Sequence, residues 1–175
     1  MDNPDHYAKP PGDHRLRGPS FVTSNVLPMT LRYLIATIHV LLLAIGFAAV
    51  HARWRALRSL RDASGLQAVF QADNWYGVAA LGWVATGVWR AFGGLEKGTE
   101  HYLENHWFLG KMGLFGLVFL LELWPMITLV RWRLAQRRGV VVDVRSAPLL
   151  ARLTRFQMPL LLVMVAMATA LARGL

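Results

Sequence analysis

Apolar residues come in long runs in this chain, with short basic or polar stretches between them. The first run extends from about Met29 to Val50, with Arg32 at its mouth and His39 as its strongly polar interior residue. The second covers about Trp75–Leu95, the third Trp107–Val130 and the fourth Phe156–Ala172. A helix of about 20 apolar residues crosses the hydrocarbon core of a bilayer. The pattern therefore predicts an all-α protein: an integral membrane four-helix bundle in a single domain, residues 29–175. Residues 1–28 carry prolines, glycines and charges of both signs without apolar periodicity and predict a flexible tail. They lack the basic start, apolar core and cleavage site of a secretory signal, and Met29 is a second candidate for the translation start.

The connections refine this plan. His51–Arg61 reads as a separate basic, interfacial helix that breaks at Ser64-Gly65, and Asp73-Asn74 reads as the N-cap of the second span. Eleven of the nineteen basic residues fall in 51–70 and 131–155, whereas the second connection and its flanks hold Arg90, Lys97 and Lys111. The positive-inside rule puts the first and third connections in the cytoplasm and both termini outside. The expected location is the bacterial cytoplasmic (inner) membrane, crossed several times, with the lipid bilayer as partner and a membrane protein or a second copy as a further one.

Composition excludes several classes. The chain of 175 residues is 55% hydrophobic and 17% charged, below the roughly 25% charged residues of soluble domains. Its formal net charge of +9 sits in arginines flanking apolar runs, so no nucleic-acid partner is expected. With no cysteine, there is no disulfide, thiolate metal site or cysteine nucleophile.

Ionisable residues inside a membrane are costly and mark function by default. His39 suits haem ligation, quinone binding, proton relay or a hydrogen bond to a neighbouring helix. Lys111, about one turn inside the third helix, either snorkels to the interface, clamps a carboxylate or, less commonly, serves as an axial ligand. Glu122 lies eleven residues on, on nearly the same face and roughly 16 Å away, beside the helix-interrupting Pro125. It either lines a proton path or pairs with an arginine at the inner boundary. Gly110, Gly113 and Gly116 form a small-residue track for helix packing, and Met158, Met164 and Met167 are gap-fillers or soft ligands. His101 and His106, among acidic residues in the second connection, form a weak candidate metal pair. No residue stands out as a catalytic acid, base or nucleophile.

Several stretches together carry a resemblance. They are Tyr33-Leu-Ile-Ala-Thr-Ile-His39, Asp73-Asn-Trp-Tyr-Gly77 with Thr86-Gly-Val-Trp-Arg90, Asn105-His-Trp-Phe-Leu-Gly-Lys111, and Glu122-Leu-Trp-Pro125 with Arg131-Trp-Arg133. In order and spacing they resemble the bacterial predicted membrane proteins of domain of unknown function 2214, from Met29 to Leu175. More remotely the plan is similar to the copper-resistance protein CopD and the haem-binding protoporphyrinogen oxidase HemJ. That likeness implies haem b, with His39 and Lys111 at the places of a first-helix histidine and a third-helix lysine important for haem binding. Leu43-Ala-Ile-Gly46 and Glu122-Leu-Trp124 stand where HemJ-like proteins carry further characteristic residues. The functions expected are a haem-associated redox protein, a non-enzymatic membrane subunit or assembly partner, or a copper or proton transporter.

Overall fold

The computed structural model describes residues 29–93 and 106–173, apart from the side chains of residues 107, 171 and 172. The expected N-terminal tail lies outside the described residues. Four long helices follow one another: α1 (Met29–Ser59), α2 (Leu66–Phe92), α3 (His106–Arg137) and α4 (Ala147–Arg173). At 1.5 Å per residue each is about 40 Å or longer, enough to cross a bilayer. α1, α3 and α4 contain windows long and apolar enough to span by composition alone. α2 does not stand among them, because Trp75, Tyr76, Trp83 and Trp89, with Gly77, Gly82 and Gly87, dilute its aliphatic content.

Two of the sequence expectations change at the boundaries. His51–Ser59 is no separate interfacial helix; it continues α1 without a break, since nothing between Val50 and Ser59 disfavours helical geometry. The chain turns where Ser64-Gly65 predicted a break, through a 3₁₀ turn at Ala63–Gly65. Asp62 caps that turn, accepting from the Ser64 hydroxyl and from the Ser64 amide at 2.9 Å, and these hydrogen bonds, the hydroxyl's foremost, hold its carboxyl below the ordinary carboxylate range. Asp73 is not an N-cap. α2 begins at Leu66, and Asp73 sits two turns inside it.

α1 packs along α2 and α4, and α4 along α3. The α1–α2 seam is close and antiparallel: a Cβ on Gly46 would lie 3.6 Å from that of Ala79, and one on Gly82 would meet Leu42. α2 and α3 are bridged by large side chains, Trp83 against Phe115 and Arg133 against Phe70 and Asp73. Between α3 and α4 the chain turns on Gly139, whose φ of +70° and the Val140 N–H to Ala135 C=O bond end α3 in a Schellman motif.

The core is densest near these two turns, where Leu57, Leu66, Phe70, Leu129, Trp132 and Leu150 cluster. Around the outside, Ile38, Leu41, Leu81, Phe119, Leu120, Phe156 and Leu162 are all exposed. Apolar surface on this scale, spread over every helix, requires lipid as the solvent. The protein is an all-α membrane bundle.

Candidate functional site: a histidine–lysine cleft above a buried ion-pair network

The polar residues of the bundle separate into two groups along its axis. The first lies in the half away from the turns. His39, on α1, is half-buried and stacks on Trp83 of α2, with ring centroids 5.1 Å apart and planes 16° from parallel. Its Nδ1 is 2.8 Å from Thr86 Oγ1. Thr86 has one hydroxyl proton, and its oxygen lies 2.8 Å from the Gly82 carbonyl and 3.0 Å from that of Trp83, one turn back on α2. A hydroxyl that donates to either carbonyl can accept from Nδ1–H, and in that tautomer the lone pair of the neutral ring lies on Nε2.

A cleft opens beside this pair. His39, Trp83, Gly87, Phe108, Lys111 and Phe115 line it, and Met164 of α4 reaches it. Its volume is about 100 Å³, and one side is open. Gly87 keeps the approach open, since a Cβ there would come within 3.2 Å of His39 Cε1. The structure thus brings two of the sequence-selected residues, His39 and Lys111, into the walls of one cleft, though a 3₁₀ turn and the whole of α2 lie between their helices along the chain. Trp83 adds an indole N–H that is buried without a hydrogen-bond partner.

The second group lies toward the turns and centres on Arg53, whose side chain is fully buried. Its Nη1 donates to Glu122 Oε1 at 2.6 Å and to Asp73 Oδ1 at 2.9 Å; its Nη2 donates to Glu122 Oε2 at 2.6 Å and to Gln157 Oε1 at 3.2 Å. Gln157 Nε2 donates in turn to Glu122 Oε2 at 2.8 Å. Asp73 Oδ2 accepts from Arg133, which also donates to Asn74 Oδ1. The guanidinium of Arg53 lies 4.5 Å from the centre of the Tyr76 ring. Each helix supplies at least one member, and two arginines balance two carboxylates. Bidentate geometry makes Arg53–Glu122 the strongest pairing of the set.

Of the two fates the sequence left open for Glu122, pairing with an arginine is the one this geometry displays. An apolar layer of Phe47, Ala79, Phe115, Val118, Leu161 and Met164 lies between the two groups, so Lys111 and Glu122 belong to separate environments. The glycine track is also divided: a Cβ on Gly110 would collide with Met167 of α4, whereas Gly113 and Gly116 face nothing within 4 Å. His106 opens α3 on the exposed surface, and His101 lies outside the described residues. Among the described residues no group of three or more histidine, aspartate or glutamate side chains is arranged to hold a metal ion.

Arg53, Asp73 and Gln157 were not singled out from the sequence as a set. Their signal is register: Val50, Arg53 and Leu57 share one helical face, as do Val69, Asp73 and Tyr76, and Leu150, Gln157 and Leu161. A polar residue on a buried stripe asks for a partner from another helix.

The family described as predicted membrane protein (DUF2214) matches residues 31–175. The chain belongs to this family. The match spans all four helices and stops short of the tail, so cleft and network both lie in the family's domain. Neither among curated proteins nor among solved structures does any match the chain.

Proposed function

We propose that this DUF2214 protein is a haem-binding redox protein of the bacterial inner membrane, with both termini outside and the two turns in the cytoplasm. The observation that carries the reading is the convergence of His39 and Lys111 on one aromatic-walled cleft. The donor set fits haem b. A neutral imidazole with its lone pair on Nε2 is a common axial ligand of haem iron, and the Thr86 hydroxyl holding Nδ1–H is the kind of outer partner that orients such a ligand. Lys111 supplies a cation for a propionate, or a second nitrogen ligand. Trp83, Phe108 and Phe115 offer flat apolar walls. Small-molecule sites run to about 300–1,000 Å³. At about 100 Å³ the cleft is smaller than that, so a macrocycle would enter it by one edge and lie mostly toward lipid. When bound, the group would supply one-electron chemistry; the chain's own part is to hold it, orient it and keep water away.

Transport of copper or protons is favoured less, because an apolar layer lies between the cleft and Glu122. The subunit or assembly reading finds its support in Gly113 and Gly116, where a Cβ would meet open space in the single chain.

The experiment is an oxidised and dithionite-reduced absorbance spectrum of detergent-purified protein from haem-replete cells, beside His39→Ala and Lys111→Ala. We expect a Soret band in the wild type that is lost or shifted in both variants. A wild type with no visible absorbance would remove the haem reading and leave the subunit reading in front.

A further inference from the structure

On the outside of the α1–α2 pair, near the turns, the two helices leave a groove of about 570 Å³. Its floor is made of four alanines, Ala52 and Ala56 one turn apart on α1 and Ala68 and Ala72 one turn apart on α2. With methyl side chains on both helices the groove has no knob to fill it, while Arg53, Val69 and Phe70 turn inward. Trp75, 64% exposed, walls the groove at its deeper end in the bundle, and Gln71 and Asn74 stand along it. Toward the turn the groove passes at Ala56 into a second pocket of about 450 Å³ lined by Trp54, Arg55, Arg58 and Ser59. Arg58 lies with its guanidinium 5.6 Å from the centre of the Trp54 ring. Among the described residues neither Arg55 nor Arg58 has a carboxylate within ion-pair distance, and Arg61 adds a third exposed charge one turn on. The carboxylate nearest in sequence, Asp62, is bonded to Ser64.

We propose that this groove and pocket form a binding site for one anionic phospholipid of the surrounding bilayer. Charge and depth choose the occupant. Ala52 follows the end of the first apolar run and Ala72 and Trp75 lie at the start of the second, so this end of the groove stands at the membrane boundary, where the glycerol end of an acyl chain enters, and Trp75 would lie along that chain. The two arginines stand at the turn, at the height of a phosphate headgroup, where each can donate charge-assisted hydrogen bonds to phosphate oxygens. A helix from a protein partner would also fit an alanine-floored groove, but two arginines with no opposing carboxylate favour a diffusible anion with a hydrocarbon tail. The site is distinct from the cleft, so the proposal does not depend on haem.

The test uses the full chain reconstituted in phosphatidylcholine vesicles containing a small fraction of phosphatidylglycerol brominated on its acyl chains. Bromine quenches nearby tryptophan, and the contribution of Trp75 is isolated as the difference from Trp75→Phe. We expect Trp75 to be quenched by brominated phosphatidylglycerol at least about fivefold more strongly, per mole, than by brominated phosphatidylcholine, given the attraction of anionic lipid to each basic residue. Arg55→Gln/Arg58→Gln should bring that ratio close to one, while Arg137→Gln/Arg138→Gln, equally exposed but away from the groove, should leave it high. Should the arginine variant fail to fold, Ala52→Leu/Ala56→Leu fills the floor while keeping the charges and should also abolish the preference. Equal quenching by both lipids in the wild type would overturn the site. So would an equal loss in both arginine pairs, which would mean diffuse attraction to a basic surface. Relief of the quenching by millimolar inorganic phosphate would make this an anion pocket and not a lipid site.

Discussion

At the scale of single residues, the bundle distinguishes groups held for packing from groups held for chemistry. On the proposed haem reading, Thr86 belongs to the second kind. Its oxygen lies 2.8 Å from both His39 Nδ1 and the Gly82 carbonyl, so a hydroxyl that donates to the carbonyl holds His39 as the Nδ1–H tautomer. Thr86→Val keeps the volume and removes that acceptor. Haem occupancy should then fall by about tenfold, the loss usual when an outer partner of a ligating histidine is removed, while the helical circular dichroism spectrum stays as it was. An unchanged occupancy would mean the hydrogen bond only satisfies the imidazole. Gly87→Val tests the space instead. A Cβ at 3.2 Å already presses on the imidazole edge, and two further methyl groups would close the cleft, so the Soret band should disappear.

Arg53 and Glu122 answer to a different physics. Removing one partner of a buried bidentate pair leaves an uncompensated charge, at a cost of about 3–5 kcal/mol. Glu122→Ala should therefore lower stability by about that much, measured as the shift of the unfolding transition in denaturing detergent, and should leave any haem spectrum largely unchanged. Arg53→Met/Glu122→Leu should recover most of the loss, because it removes both charges at once. Full loss of the spectrum with intact stability in Glu122→Ala would instead give Glu122 a role at the cleft. The sequence made Glu122 conspicuous and hid Arg53. A glutamate inside an apolar run stands out, whereas an arginine at the end of one, among Arg55, Arg58 and Arg61, looks like one more interfacial charge.

Among the elements, α1, α3 and α4 were legible because aliphatic residues dominate them, and lipid demands long uninterrupted runs. α2 was legible in part. Its apolar stripe begins at Leu66, but Gln67, Gln71 and Asp73-Asn74 interrupt the hydropathy over the first two turns and hide its start. What Asp73 and Asn74 do, namely meet Arg53 and Arg133, is a tertiary fact that no local pattern carries. The same holds for the glycines of α3. A repeat of Gly110, Gly113 and Gly116 reads as one packing track, yet these positions do not share one helical face closely enough for all to touch α4. Gly110→Leu should cost about 1–3 kcal/mol, the usual penalty of overpacking, because it displaces Met167. Gly113→Leu should leave detergent stability unchanged. A matching loss at Gly113 would show that this face packs against another chain.

Across the whole molecule the two ends are built differently, and orientation follows from the difference. The end with the turns is closed by a dense apolar cluster and by Arg53, Asp73, Glu122, Arg133 and Gln157 in one network; the other half carries a cleft between side chains that do not fully fill it. Of the eleven basic residues counted toward orientation, Arg53 and Arg133 are committed to ion pairs within the bundle. The other nine, Arg55, Arg58, Arg61, Arg131, Arg137, Arg138, Arg145, Arg152 and Arg155, are exposed around the closed end. Removing the two internal arginines from the count leaves the bias strong, so the closed end should face the cytoplasm and the cleft should open in the outer half of the membrane. The absence of cysteine makes this directly measurable, because any introduced thiol is unique. Arg138→Cys in the α3–α4 turn should resist a membrane-impermeant maleimide in intact spheroplasts and react once they are permeabilised. Thr30→Cys, at the start of α1, should react in both conditions. The reverse pattern would put the cleft on the cytoplasmic side, and an electron donor or acceptor for a bound haem would then have to be sought there.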